Sequence, residues 1–271
     1  MTMTLSICVA WRKSRECRSC PSASPPTGSV PGASWCRREP EVTWTVLLSG
    51  GLIAIVAGLD RTALLQIMLS RPLVAGSLLG WLLGVPESGL LIGALCELLW
   101  LARMPVGAAI PPDDTQVAVG ATCLTVLLNP AGGFAPEPVA LFALLLAMPL
   151  GKVGQGFDRL ARNCNSRLLR RAERAVADGR EERIERLHLR GVLHFAGAAL
   201  ATFVVVVAGG MLIGMPLLPR AVPLLQPLTG ELELLFPLVG AAVILATLHV
   251  SRALTLFSTS FVTVLLTIWL L

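Results

Sequence analysis

The chain has 271 residues, of which 54% are hydrophobic and only 14% are charged, and its mean hydropathy is +0.73. A soluble domain carries about 25% charged residues to keep its surface hydrated, so this composition excludes a soluble protein. The net charge of +5 comes from two short basic blocks, and the chain has no Tyr, so a basic face with interleaved aromatic residues is not expected. We therefore predict an integral membrane protein that does not bind nucleic acid.

Residues 1–40 differ in composition from the rest of the chain. They hold six of the 22 Lys and Arg residues and a Pro- and Ser-rich stretch that cannot bury a core. The segment is predicted to be a disordered extension, or the product of a misassigned start with translation beginning near Val42. Cys17 and Cys20 have the spacing of half a zinc site, but no second half-site follows, so neither a metal nor a cofactor is expected.

Residues 41–151 form the predicted N-terminal membrane half. Its first apolar run, Val42–Leu59, approaches the roughly 20 residues that a spanning helix needs. The runs that follow are shorter and are cut by Pro, Gly and charged residues: Leu64–Leu69, Leu73–Val85, Leu90–Leu101, Val117–Leu128 and Val139–Leu150. Such interruptions favour broken or re-entrant helices, which transporters use at their substrate sites. The alternative is that the runs pair into longer, kinked helices.

Glycines recur every four residues in this half, at positions 76, 80 and 84 and again at 89 and 93. Small residues at this interval let one helix backbone approach another closely within lipid. The pattern predicts helix packing rather than contact with a substrate.

Residues 152–190 hold eleven basic and six acidic residues, and we predict a cytoplasmic helical hairpin from the positive-inside rule. Five residues spaced four apart indicate one helix face: Leu160, Cys164, Leu168, Ala172 and Val176. Asp178-Gly179 ends that helix. The hairpin could rest on anionic headgroups, dock a soluble partner, or be only a solvated loop that sets topology.

Residues 191–271 form the predicted C-terminal membrane half, with apolar runs at Leu193–Leu218, Leu234–Val250 and Ala253–Leu271. Each run approaches or exceeds spanning length. The predicted fold class is therefore an all-α polytopic membrane protein, a bundle of transmembrane helices whose N-terminal half contains broken or re-entrant segments.

Three ordered motifs carry a resemblance to a known family. They are Ser70-Arg-Pro-Leu-Val-Ala-Gly76, Gly89-Leu-Leu-Ile-Gly93-Ala-Leu-Cys-Glu97-Leu-Leu-Trp100 and Pro105-Val-Gly-Ala-Ala-Ile-Pro-Pro-Asp113. Together with Gly154-Gln-Gly-Phe-Asp158 they resemble the IIC component of the bacterial phosphotransferase system, mannose-fructose-sorbose family. The likeness covers about residues 45–271.

The resemblance implies a permease subunit, multi-pass in the bacterial inner membrane, that binds and translocates a sugar. It implies a IID membrane subunit and soluble IIA and IIB subunits as partners, with IIB transferring phosphate to the sugar, and an oligomeric assembly. No phosphorylated residue is expected on this chain.

Glu97 is the clearest candidate for the sugar site, because a charged group among apolar residues costs several kcal/mol and is a functional candidate by default. It could accept hydrogen bonds from sugar hydroxyls, and Trp100, one turn later, could cover an apolar sugar face. The alternative is a structural ion pair between Glu97 and Arg103 or Arg71.

The most polar cluster of this half contains Asp113, Asp114 and Gln116. One Asp could cap the helix that begins near Thr115 while the other binds substrate. Asp60 and Gln66 bracket the first break and are further candidates, although Asp60 could instead be a membrane-edge residue.

Two other functions remain open from the sequence. The chain could be a non-transporting regulatory membrane subunit of the same system, or a secondary transporter that couples to protons through Glu97 and Asp113.

Overall fold

The computed structural model describes residues 40–64, 66–100, 112–129, 132–180, 182–247 and 253–270. The predictions for the N-terminal extension, its cysteines and its start therefore lie outside the described residues. Arg103 and the run Pro105–Pro111 lie outside them as well.

All regular secondary structure within the described ranges is α-helical, as the apolar runs predicted. The helices are α1 (Pro40–Thr62), α2 (Pro72–Leu83), α3 (Pro86–Trp100), α4 (Asp114–Leu128), α5 (Pro136–Gly151), α6 (Gly154–Ala177), α7 (Glu182–Thr229), α8 (Leu232–Thr247) and α9 (Ala253–Leu270). Three stretches of this part of the chain are long and apolar enough to cross a membrane: Thr43–Thr62, Pro136–Ala177 and Glu182–Thr229. The predicted polytopic helical fold is confirmed.

Helix α4 lies at the centre of the bundle and contacts α1, α2, α3, α5 and α7. From Thr115 to Leu128 every residue except Val126 is buried. The hydroxyls of Thr122 and Thr125 donate to carbonyls one turn earlier, at 2.8 and 3.0 Å, so these buried polar groups are satisfied within the helix. A helix this enclosed can hold polar residues at its end against several neighbours at once.

Helices α2 and α3 form a hairpin that is too short to span. Their 12 and 15 residues correspond to about 18 and 23 Å, against a hydrocarbon core of about 30 Å. Gly84, with φ of 75°, ends α2 in the left-handed conformation and lets the chain turn back. Because Arg71 before α2 pairs with Glu97 near the end of α3, the hairpin enters and leaves on the same side and is re-entrant.

The repeated glycines lie where the two helices of this hairpin contact each other, as predicted. A Cβ on Gly80 would lie 2.8 Å from Cα of Gly89, and a Cβ on Gly76 would lie 3.3 Å from Cα of Gly93. The two backbones are therefore in direct contact, which only residues without side chains allow.

Helices α6 and α7 run antiparallel and join at Gly179, whose φ is 68°. Asn165 links them, since its Nδ2 donates to the Gly191 carbonyl at 3.1 Å and its Oδ1 lies 2.7 Å from Nδ1 of His194. Helix α7 has 48 residues, about 72 Å, so the predicted boundary at residue 190 falls within one continuous helix.

The five residues predicted to form one apolar face of α6 do not all lie on its buried side. Leu160 and Val176 are exposed, whereas Ala161 and Ala175 are buried. A spacing of four residues overshoots a turn of 3.6 by about 40° at each step, so the two ends of a 16-residue series point in nearly opposite directions.

Candidate substrate site

Arg61 joins the end of α1 to the start of α4. Its Nη1 lies 2.8 Å from Oδ1 of Asp113, and its Nη2 donates to Oδ1 of Asp114. The same Oδ1 of Asp113 accepts from the backbone N–H of Gln116 at 3.2 Å, so Asp113 is the N-cap of α4. These side chains are 18–31% exposed, which places the group at the edge of the buried core.

The loop between α1 and α2 is fastened to this group by two side chains. The buried carboxylate of Asp60 accepts from the backbone N–H of Ile67 at 2.8 Å and of Ser70 at 2.9 Å. Thr115 donates its hydroxyl to the Ser70 carbonyl. These contacts account for the burial of Asp60 by a structural role, the anchoring of the loop.

Gln116 lies deeper and is completely buried. Its Nε2 donates to the Ala54 carbonyl of α1 at 2.8 Å, while its Oε1 has no hydrogen-bond partner among the described residues. The side chain therefore ties α4 to α1 and retains one unused acceptor within the buried interior of the bundle.

Glu97 makes the ion pair that the sequence offered as an alternative to ligand binding. Its Oε1 lies 3.1 Å from Nη1 of Arg71, and its Oε2 lies 3.5 Å from the backbone nitrogen of Leu73, in the first turn of α2. Trp100 packs its ring against the main apolar core, and its buried Nε1 has no partner within the described part of the chain.

These residues form one connected network. Glu97 contacts Arg71, the neighbouring Ser70 contacts Thr115, and Asp114 contacts Arg61. Four carboxylates (Asp60, Asp113, Asp114 and Glu97) stand against two guanidinium groups, so the network has an excess of hydrogen-bond acceptors. Gln66 lies apart from it, exposed in the loop after α1 with φ of 52°.

The network lies at the end of the bundle where the basic hairpin begins. A Cβ on Gly154, the first residue of α6, would lie 3.3 Å from Cβ of Asp113 and 2.7 Å from the methyl group of Thr202. The positive-inside rule predicts that the hairpin, and with it this end of the bundle, lies on the cytoplasmic side. Among the described residues, no three His, Cys, Asp or Glu side chains come together as a metal site would require.

Sequence reasoning missed Arg61 and Ser70 as members of the site. Arg61 was recognisable only as a basic residue at the end of an apolar run, and Ser70 contributes through its backbone. A signal for Arg61 existed, because a cation at the end of one helix and two acids at the start of another complement the charges of both helix termini.

The family model described as the sorbose-specific IIC component of the phosphotransferase system matches residues 43–269. The chain belongs to this family. The match includes every residue of the network and excludes the N-terminal extension. The chain is therefore a multi-pass protein of the bacterial inner membrane, as the resemblance implied.

Individual relatives are similar to only about half of this chain, at low sequence identity. The chain is 27% identical over 149 residues to the mannose-specific EIIC component of Escherichia coli K12, which covers 55% of this chain and 53% of that one. It is 29% identical over 142 residues to the fructose permease IIC component of Bacillus subtilis, covering 52% and 49%. The chain spans about half the length of these curated relatives.

A solved chain described as a membrane protein is similar over 84% of this chain and 87% of its own, with a TM-score of 0.52 and 23% identity. At this level of identity the likeness concerns the fold alone.

Proposed function

We propose that this chain is the sugar-binding and translocating IIC subunit of a phosphoenolpyruvate-dependent sugar phosphotransferase complex. The observation that carries the proposal is the acceptor-rich network at the end of the bundle that bears the basic hairpin, in a chain that belongs to the IIC family. A sugar presents many hydroxyl donors and no charge, and carboxylate oxygens are its strongest hydrogen-bond acceptors.

The proposed acceptors are Asp114, Glu97 and Asp113. Oδ2 of both aspartates accepts no hydrogen bond from the described residues, whereas Oδ1 of each is held by Arg61. The arginine therefore fixes the orientation of both carboxylates while one oxygen of each stays available to a hydroxyl. Gln116 is completely buried in this conformation, so its unused Oε1 would become an acceptor only when α1 and α4 separate during transport. Trp100 could supply an aromatic face.

The proposed cycle moves the site from outward to inward access and ends with phosphate transfer. A IID subunit would share the membrane site, while IIA would pass phosphate to IIB and IIB would present it at the cytoplasmic end. The P–N bond of a phosphohistidine on IIB breaks, a P–O bond forms on the sugar, and the hydroxyl proton passes to a carboxylate such as Glu97 or Asp113.

The proposal is tested by sugar phosphorylation in membrane vesicles that contain this chain, a IID subunit and the soluble IIA and IIB subunits. We expect phosphoenolpyruvate-dependent formation of a sugar phosphate from at least one of mannose, fructose and sorbose, the sugars in the relatives' names. Correct assembly without any sugar phosphate from a broad panel would refute it and favour a regulatory subunit. Uptake that an uncoupler abolishes while phosphoenolpyruvate remains would favour proton coupling.

A further inference from the structure

The tip of the cytoplasmic hairpin contains an arginine-lined groove of about 500 Å³. Its walls come from the end of α6 and the start of α7. The lining residues are Arg171, Arg174, Ala175, Asp178, Arg180, Arg183, Arg186, Leu187 and Arg190. We call this feature the arginine groove.

The spacing of these residues shows that two whole helix faces converge on the groove. Positions 171, 174, 175 and 178 on the side of α6 and positions 183, 186, 187 and 190 on α7 both follow the pattern i, i+3, i+4, i+7. In an antiparallel helix pair this is the seam that normally holds apolar residues. Here the apolar members are only Ala175, which is buried, and Leu187, which is half-buried.

The groove has a large local excess of positive charge. Among the described residues that line the groove, Asp178 is the one carboxylate, and it is paired with Arg180. The other five arginines form no ion pair with any described residue. The six guanidinium groups line one volume of about 500 Å³, so neighbouring groups repel one another across distances comparable to the Debye length of about 10 Å. A bound anion would relieve this repulsion.

We propose that the arginine groove binds the phosphate group of a phosphate monoester or diester. Guanidinium groups match phosphate oxygens in a two-pronged geometry that ammonium groups cannot offer, and every basic residue lining the groove is an arginine. Its volume falls within the about 300–1,000 Å³ of small-molecule sites. The phosphate could belong to a soluble ester or to a phospholipid headgroup.

This site is distinct from the proposed sugar site and does not depend on it. Arg171 follows Gly154, which lies beside Asp113, by 17 positions on α6, or about 25 Å along the helix. Loss of phosphate binding in the groove would therefore leave the sugar network intact.

The test compares two double variants of the full chain that remove equal charge from the hairpin. Arg174→Gln with Arg183→Gln removes one guanidinium group from each of the two walls of the groove. Arg167→Gln with Arg170→Gln removes two exposed arginines that lie outside the groove. For the soluble source, binding of glucose 6-phosphate and inorganic phosphate is measured by calorimetry in nanodiscs of zwitterionic lipid. For the lipid source, retention of phosphatidylglycerol is measured by native mass spectrometry of protein from mixed-lipid nanodiscs.

We expect one of these probes to bind the wild-type chain and to lose about tenfold or more in affinity or retention in the groove variant. The matched control should change by less than about threefold, since it alters only the long-range field. The probe that responds identifies the source of the phosphate. Equal losses in both variants, or no binding of any probe to the wild-type chain, would overturn the proposal.

Discussion

The substitution Glu97→Gln separates a sugar-binding role from a structural one. It keeps the shape of the side chain and one acceptor oxygen but removes the charge that pairs with Arg71. A matched control exists on the other side of the same ion pair, because Arg71→Gln breaks the pair and leaves the carboxylate in place. Both variants therefore lose the same ion pair, and only Glu97→Gln also loses the charged carboxylate that is proposed to accept the sugar hydroxyl.

The geometry sets a small cost for breaking the pair. The side chain of Glu97 is 24% exposed and that of Arg71 is 55% exposed, with 3.1 Å between Oε1 and Nη1. An ion pair this accessible contributes about 0.2–1 kcal/mol, so neither variant should fail to insert or to assemble. A loss of about 3–5 kcal/mol, typical of a buried pair that loses one partner, is not expected.

A sugar hydroxyl that donates to Glu97 would be affected far more. Hydrogen bonds to a charged group are worth about 1.5–3 kcal/mol, so Glu97→Gln should weaken sugar binding about 10- to 150-fold. Arg71→Gln should leave binding within a few-fold of wild type, since the carboxylate is retained.

The assay measures sugar binding and co-purification of the IID subunit on the same preparation of each variant. Normal sugar binding by a well-assembled Glu97→Gln protein would remove Glu97 from the site and leave Asp113, Asp114 and Gln116 as the acceptors. Equal losses of binding in the two variants would show that the ion pair, and not the carboxylate, matters.

Three further predictions concern the framework around the site. Gly80→Ala should lower the thermal stability of the purified protein, because the added Cβ would lie 2.8 Å from the backbone of α3. The control Gly197→Ala, in the interior of α7, should leave stability unchanged or raise it by about 1 kcal/mol, because no atom of a neighbouring element lies within 4 Å of the added Cβ. Equal effects of the two substitutions would contradict the direct backbone contact. Arg61→Gln should cost about 2 kcal/mol in denaturant unfolding, between the values for exposed and buried pairs, and adding Asp113→Asn should recover part of it, so strictly additive losses would contradict the pairing. Ala177→Cys in an otherwise cysteine-free chain should resist an impermeant thiol reagent on intact cells and react after permeabilisation, and labelling from outside would invert the topology.

The sequence by itself determined the class of the protein, the type of its elements and its family. Hydropathy, charge runs and Pro or Gly interruptions are local properties, so they located α1 to α5 and the basic hairpin and predicted that α2 and α3 are too short to span. The glycine interval predicted a close helix contact for the same reason, because residues spaced four apart lie near one face of their own helix. Local spacing failed where it was extended too far, at Leu160 and Val176, because a period of four drifts from a turn of 3.6 residues.

Only the tertiary structure decided which polar residues meet. Arg61 and Asp113 are 52 positions apart, and Arg71 and Glu97 are 26 apart, so their pairing depends on how several helices pack rather than on any local pattern. The sequence offered Arg71 and Arg103 as partners of Glu97 without a means to choose, and it left the roles of the two aspartates exchangeable. In the assembled structure Asp113 is the cap of α4, Arg61 of α1 contacts both aspartates, and Asp60 anchors the loop whose Ser70 carbonyl accepts from Thr115. The energy of a polar contact depends on partner, distance and burial together, and these become defined only when the helices are assembled.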